Sequence, residues 1–153
     1  MAKTSAGILL YRGEGDSLEV LLVHPGGPFW SKKDEGAWSI PKGELEEGEE
    51  PRACALRELG EEIGSSLGLV PERLIELGEV RLKSGKRVQG WAAEGDFDPA
   101  TLRSNTFTME WPPRSEKEGE FPEVDRAEWF APEQARLKIN PAQAAFIDRL
   151  LAR

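Results

Sequence analysis

A chain of 153 residues with 39% hydrophobic and 31% charged residues is long enough to bury a proper core and reads as one soluble globular domain over 1–153. A net charge of −8 disfavours a nucleic-acid partner, which needs many Lys and Arg contacts to phosphates, but it leaves room for a small phosphate ligand reached through bound cations. One cysteine and one histidine exclude an internal disulfide and a thiolate cluster, so any metal site must be built mainly from carboxylates.

Near the start, the longest apolar run is Ile8-Leu9-Leu10-Tyr11, too short for a signal-peptide core. No later stretch approaches the ~20 apolar residues of a membrane span. A cytoplasmic location without membrane contact is therefore expected. Residues 4–12 and 18–24 are β-branched and aliphatic runs separated by Gly13, Gly15 and Asp16, which predicts two strands and a turn. Residues 25–36 form a Gly/Pro loop that carries Phe29, Trp30, Lys32 and Lys33. A brief strand over 37–40 is stopped by Pro41, and the acidic, glycine-bounded stretch 43–48 reads as loop.

Pro51 suits the first position of a helix, where its missing N–H costs nothing. That helix runs to Ile63, with Gly64 at its C-terminal cap and Glu50 as a weak N-cap. Residues 75–83 and 86–94 flank Ser84-Gly85 as a hairpin. The stretch 96–120, with Pro99, Pro112, Pro113 and many charges, reads mostly as loop apart from 107–111. A last strand follows over 124–130. Asn140 and Pro141 then open a closing helix whose Ala144, Ile147, Leu150 and Leu151 are spaced for one face. Strands mixed with two separated helices indicate an α/β or α+β sandwich.

The helix over 51–63 carries the chemistry. Glu58, Glu61 and Glu62 stand at i, i+3 and i+4 and share one face, while Leu56, Leu59 and Ile63 share another that faces the core. Like charges at this spacing destabilise a helix by roughly 0.2–0.5 kcal/mol each, and the C-terminal end of the macrodipole prefers cations. A bound divalent cation removes both penalties, and carboxylate oxygens suit Mg²⁺ or Mn²⁺. Spacing alone leaves open the ordinary alternative of a solvated acidic face.

The segment resembles the Nudix box, G-x5-E-x7-R-E-U-x-E-E-x-G-U with U a bulky aliphatic residue. Gly43, Glu49, Arg57, Glu58, Leu59, Glu61, Glu62 and Gly64 fill the pattern; only its last position departs, where Ser65 stands for an aliphatic residue. Ser5-Ala6-Gly7, Trp38-Ser39-Ile40-Pro41-Lys42 and Glu128-Trp129-Phe130 are similar to Nudix surroundings, so the resemblance covers most of the chain.

The resemblance implies a Nudix-type α/β/α sandwich with a mixed β-sheet and Mg²⁺-dependent hydrolysis of a phosphoanhydride, with Mn²⁺ as a substitute. Glu58 and Glu62 would be the main cation ligands, Glu61 a further ligand or the general base, and the Lys42 carbonyl an additional donor. Arg57 and Glu49 would orient the helix, and Gly43 and Gly64 would bound it. Candidates to grip phosphates are Lys42, Lys32 and Lys33, although lysine pairs in loops are usually solvated. Phe29 and Trp30 are candidates to stack on a base. Some Nudix enzymes take an extra acid from the late loop, which here holds Glu118, Glu120 and Glu123; the sequence singles out none of them, and the default is a solvated acidic run. His24 reads as a structural histidine and Cys54 as a small core filler. The implied partner is a small nucleotide. The approach to the box resembles the diadenosine tetraphosphate hydrolases, with a nucleoside triphosphate pyrophosphatase of the MutT kind as competitor. A non-catalytic nucleotide sensor is disfavoured by the intact glutamates, and a diphosphate-ester isomerase ranks last.

Overall fold

In the computed structural model, which describes residues 3–153, the chain is built around strand β1 (Thr4–Arg12). Residues Ser5 to Leu10 of this strand are buried, as an apolar run without strict alternation requires. Ala6, Ile8 and Leu10 face one side and Leu9 the other. The flanking strands are β2 (Glu19–Pro25), β3 (Lys42–Glu44), β4 (Ile75–Arg81), β5 (Arg87–Glu94) and β8 (Val124–Phe130). They form a sheet in the order β4-β5-β1-β2-β8, with β3 also paired to β1. Strands β1 and β5 run parallel and the other pairs antiparallel, so the sheet is mixed.

Helix α1 (Pro51–Ile63) covers the Ala6/Ile8/Leu10 face. Helices α2 (Pro132–Lys138) and α3 (Ala144–Leu151) cover the other, where Trp38, Ile40, Phe146 and Ile147 close the core around Leu9 and Leu22. This is the expected α/β/α sandwich. No helix among the described residues is long and apolar enough to cross a membrane.

Strand β1 shares one edge between two partners. Its first residues, Ser5 to Gly7, pair with β3, and its last, Tyr11 and Arg12, pair with β2. Strands β2 and β3 therefore diverge between those points. The gap is bridged by residues 38–41: Val23 and Ser39 exchange backbone hydrogen bonds of 2.9 and 3.0 Å, and the Pro41 carbonyl accepts from Ile8 N–H at 3.1 Å.

Several local expectations are corrected. Residues 37–40 make only isolated bridges, Val23 to Ser39 and Trp38 to Ile139, in place of a strand. The expected loop over 43–48 begins as β3, because Lys42 to Glu44 complete the start of β1. The expected loop over 96–120 contains a hairpin, β6 (Thr106–Glu110) with β7 (Glu118–Pro122), which forms a separate two-stranded sheet. Its first strand alternates in Phe107 and Met109, but Gly119 and Pro122 weaken the signal of the second. Helix α2 has only seven residues and one fully buried side chain, Ala135, too little to give a periodic signal. On α1, Leu56 is only partly buried, and Cys54 and Ala55 join Leu59 and Ile63 against the sheet.

The sheet ends at β4 on one side and at β8 on the other. A bulge near Leu77 breaks the register of β4, with Gly78 at φ 83°. Arg149 of α3 reaches this edge and donates from Nη1 to the carbonyls of Leu77 and Glu79 at 2.9 and 3.0 Å.

Phe146 is fully buried, and a Cβ built on Gly90 would come within 2.6 Å of its ring. Phe146→Ala is expected to lower the unfolding free energy by about 3–5 kcal/mol in urea titrations. A loss below about 1 kcal/mol would mean that this ring does not close the second layer.

Candidate active site

The site forms where the C-terminal half of α1 crosses β3. Gly64 ends the helix at φ 89°, a left-handed cap that only glycine adopts readily, and its N–H donates to the Gly60 carbonyl at 2.9 Å. Two further carbonyls of the last turn are met by the chain leading into β6: Arg103 N–H donates to Ile63 O at 3.2 Å and Asn105 N–H to Glu61 O at 2.8 Å. Ser65, the position that departs from the box, accepts from Leu67 N–H at 3.0 Å, and Leu67 packs against the core.

Arg57 braces the acidic face. Its Nε and Nη2 donate to the two oxygens of Glu49 at 2.8 and 2.9 Å, a bidentate pair. Nη1 reaches Glu61 Oε2 at 2.6 Å and lies 3.5 Å from Glu58 Oε2, while Nη2 also reaches the Glu44 carbonyl at 3.2 Å. The guanidinium thus ties the loop after β3 to α1. Glu49 also accepts from Glu46 N–H at 3.0 Å. Hydrogen bonding from Arg57 and then from Glu46 holds the Glu49 carboxyl down at about 2, while the hydrogen bond to Glu49 and the charges of Glu58, Glu49 and Glu61 push the Arg57 guanidinium up.

Glu58 and Glu62 stand in the opposite electrostatic situation. Burial, followed by the hydrogen bond and charge of Glu61, raises the Glu58 carboxyl to about 7. Burial raises Glu62 to about 8 against the counter-effect of Lys42. Glu62 accepts from Lys42 N–H at 3.3 Å. Gly43 has no room for a side chain, because a Cβ there would overlap the Glu58 carboxylate. Burial lowers the Lys42 ammonium, with Glu62 opposing the shift.

Lys42 and Glu62 line a cleft of about 120 Å³ together with Val23, Pro25, Ser39, Glu123 and Val124. It lies at the divergence of β2 and β3. Depressions of about 360, 370 and 410 Å³ on other faces are wider, but Glu58, Glu61 and Glu62 line none of them. Carboxylate chemistry, not volume, therefore marks the site.

The structure gathers Lys42, Gly43, Glu49, Arg57, Glu58, Glu61, Glu62 and Gly64. It also separates the three late acids. Glu118 and Glu120 lie exposed on β7, whereas Glu123 is at the cleft, its carboxyl raised first by loss of water and then by the charge of Glu61. Phe29, Trp30, Lys32 and Lys33 sit outside this cleft, on the loop that leaves it at Pro25. Phe29 is 68% and Trp30 38% exposed. The Lys33 Nζ lies 4.9 Å from the Trp30 ring centroid and 5.6 Å from that of Phe29. Asn105, whose Nδ2 approaches Glu61 Oε1 at 3.4 Å, carries no motif signal in the sequence, and Ser39 lines the cleft although the approach to the box gave it no role. Cys54 is buried in the core, and burial pushes its thiol up to about 12, which makes it an inert filler.

The donor set is oxygen-only, with two carboxyls held above their ordinary range chiefly by burial, and its chemistry would suit a hard divalent cation. Among the described residues, no three acidic, histidine or cysteine side chains already converge on one ion position. Arg57 holds Glu61, and the Lys42 amide holds Glu62.

Over residues 1–150 the chain matches the NUDIX domain. The chain belongs to that family. An 8-oxo-(d)GTP phosphatase of Mycolicibacterium smegmatis is 33% identical to this NUDIX chain over 107 residues, 62% of the chain and 31% of that protein. An RNA pyrophosphohydrolase of Roseobacter denitrificans is 42% identical over 60 residues, 38% of the chain and 31% of that protein. The chain thus spans about a third of the length of these curated relatives. Among solved structures, a C. elegans Ap4A hydrolase binary complex is similar at TM-score 0.65 and 19% identity, covering 97% of this chain and 96% of that one. The NUDIX domain of Shewanella oneidensis NrtR, complexed with ADP ribose, is similar at TM-score 0.67 and 16% identity, covering 100% and 88%. At these identities the likeness is one of fold.

The raised carboxyls predict a pH dependence of stability. A Glu62 that titrates near 8 in the fold and near 4.5 when unfolded binds more protons in the native state between those values. Metal-free protein is therefore expected to lose stability as pH rises through that window. Glu49 acts in the opposite sense and lower, its contribution being lost only as pH falls toward about 2. Melting temperatures of chelator-treated protein from about pH 5 to about pH 8 should fall for the wild type and flatten in Glu62→Gln. Equal slopes in the two proteins would exclude Glu62 as the source.

Proposed function

We propose that this NUDIX chain is a hydrolase that cuts a phosphoanhydride bond in a nucleoside polyphosphate, using Mg²⁺, or Mn²⁺ in its place. The observation that carries the reading is the Arg57 brace, which ties Glu58 and Glu61 to Glu49 on the helix whose Glu62 lines a cleft with Lys42. In this reading Glu58 and Glu62 hold the cation, aided by the Lys42 carbonyl, and Glu61 is a further ligand or the base that takes the water proton. The bound cation supplies charge neutralisation on the bridging phosphates and an acidified water.

The chain's own residues do the rest. Arg57 keeps the acidic face aligned through Glu49. The Lys42 ammonium is partly stripped of water by burial and so is available to a phosphate oxygen. Glu123 adds a fourth carboxylate at the rim. Phe29 and Trp30 provide exposed aromatic faces for a base, with Lys32 and Lys33 beside them for outer phosphates. Positioning and charge neutralisation are sufficient for this chemistry.

The preferred substrate is a diadenosine tetraphosphate-type dinucleotide. This choice is supported by the Trp38-to-Glu44 approach to the box and by fold similarity to an Ap4A hydrolase. The competing reading, a nucleoside triphosphate pyrophosphatase of the MutT kind, is favoured by the identity to an 8-oxo-(d)GTP phosphatase.

Incubation with dinucleoside polyphosphates and with nucleoside triphosphates, with and without Mg²⁺, separates these readings by their products. Turnover should require the metal and fall at least ~100-fold in Glu62→Gln. Wild-type turnover in that variant removes the ligand role, and nucleotide binding without any product removes the hydrolase. Trp30→Ala is expected to raise KM about 10-fold while kcat stays within about twofold, as loss of one stacked base predicts.

A further inference from the structure

His24, the chain's one histidine, is fully buried near the end of β2. Its Nδ1 lies 2.8 Å from Asp125 Oδ1, and its Nε2 lies 2.6 Å from the backbone carbonyl oxygen of Lys33. Both partners are acceptors. A carbonyl never donates, and neither does an ionised carboxylate. A neutral imidazole has a single N–H and satisfies one of the two. Turning the ring over puts carbon atoms where the nitrogens were and satisfies neither. Both contacts are met together when both ring nitrogens carry hydrogen and Asp125 is the negative partner.

The surroundings fit a cation held in this way. From β8, Asp125 faces the ring directly, and Arg126 Nε lies 3.9 Å from the same Asp125 oxygen. Trp38 packs edge-on against the ring at 5.2 Å. Asp34 accepts from Trp38 Nε1 at 2.8 Å and pairs with Lys138 of α2. From the loop, Lys33 presents its carbonyl while its ammonium is turned to Trp30 and Phe29.

The loop begins at Pro25, which lines the cleft, and is held at its far end through Lys33 and Asp34. Between these ends, the Gly27 and Pro28 carbonyls accept from Trp30 N–H at 3.3 Å and from Ser31 Oγ at 3.1 Å. We propose that His24 is a doubly protonated positioning residue that latches the 26–36 loop to β8 and so sets where Trp30 and Lys33 stand on the loop outside the cleft. The latch rests on hydrogen-bond geometry; its effect on catalysis rests on the reading of this loop as a substrate contact.

Because the chain has one histidine, ¹⁵N spectra of histidine-labelled wild type are free of overlap. At neutral pH both ring nitrogens should show one-bond coupling to hydrogen, and a nitrogen without hydrogen overturns the proposal. Asp125→Asn keeps the shape and removes the counter-charge. Trypsin should then cut after Lys32 and Lys33 about 5–10-fold faster, because the loop opens locally without global unfolding. In the same variant KM should rise about 5–10-fold with kcat within about twofold. Cleavage at the wild-type rate overturns the latch. Faster cleavage with an unchanged KM upholds the latch and removes the loop's substrate role instead. If Asp125→Asn fails to fold, the wild-type spectrum decides by itself.

Discussion

The bidentate pair between Arg57 and Glu49 is the contact on which the site depends. Three glutamates within five residues of one helix repel one another, and two of them are also stripped of water. A single guanidinium reaches Glu49 in the loop and Glu61 and Glu58 on the helix. It thereby fixes the acidic face against β3 and offsets part of the repulsion. Gly43 makes this possible from the other side, since the Glu58 carboxylate occupies the space that a side chain would fill. The brace holds only while the loop from Glu44 to Glu49 and the helix stay in register, which links the fold of the sheet to the alignment of the carboxylates.

The cleft itself is a product of strand pairing. Because β1 gives the start of one edge to β3 and the end of it to β2, the sheet opens between them, and Lys42, Ser39, Val23 and Pro25 line the opening. The helix supplies the negative charge, β3 supplies Lys42, and the connection into β8 supplies Glu123. The Glu58 and Glu62 carboxyls are raised there first by burial and then by neighbouring carboxylates.

Much of the candidate site was legible in the sequence because its signals are local. Pro51 and Gly64 bound α1, and the spacing of Glu58, Glu61 and Glu62 follows from the helical period. The strands were legible from the aliphatic run of β1 and from the Ser84-Gly85 turn between residues 75–83 and 86–94. What escaped depends on tertiary contact. Glu123 looks like its neighbours Glu118 and Glu120 until β8 places it beside Glu62. The 106–122 hairpin escaped in its second strand, where Gly119 and Pro122 leave Phe121 as the one apolar side chain turned inward. Helix α2 escaped because two turns with one buried alanine give no period. Leu56 was assigned to the core where Cys54 and Ala55 are, since the sheet meets α1 along a stripe rotated from the one the leucines suggested.

Strand β4 ends the sheet on one side, and an uncovered end of this kind is a template for a foreign strand. Arg149 already occupies the carbonyls of Leu77 and Glu79, and the bulge at Gly78 interrupts the straight ladder that an incoming segment would need. A stranger's backbone must displace a guanidinium before it forms its first bonds there. The last helix thus shields this end of the sheet against self-assembly by the same side chain that fastens it down.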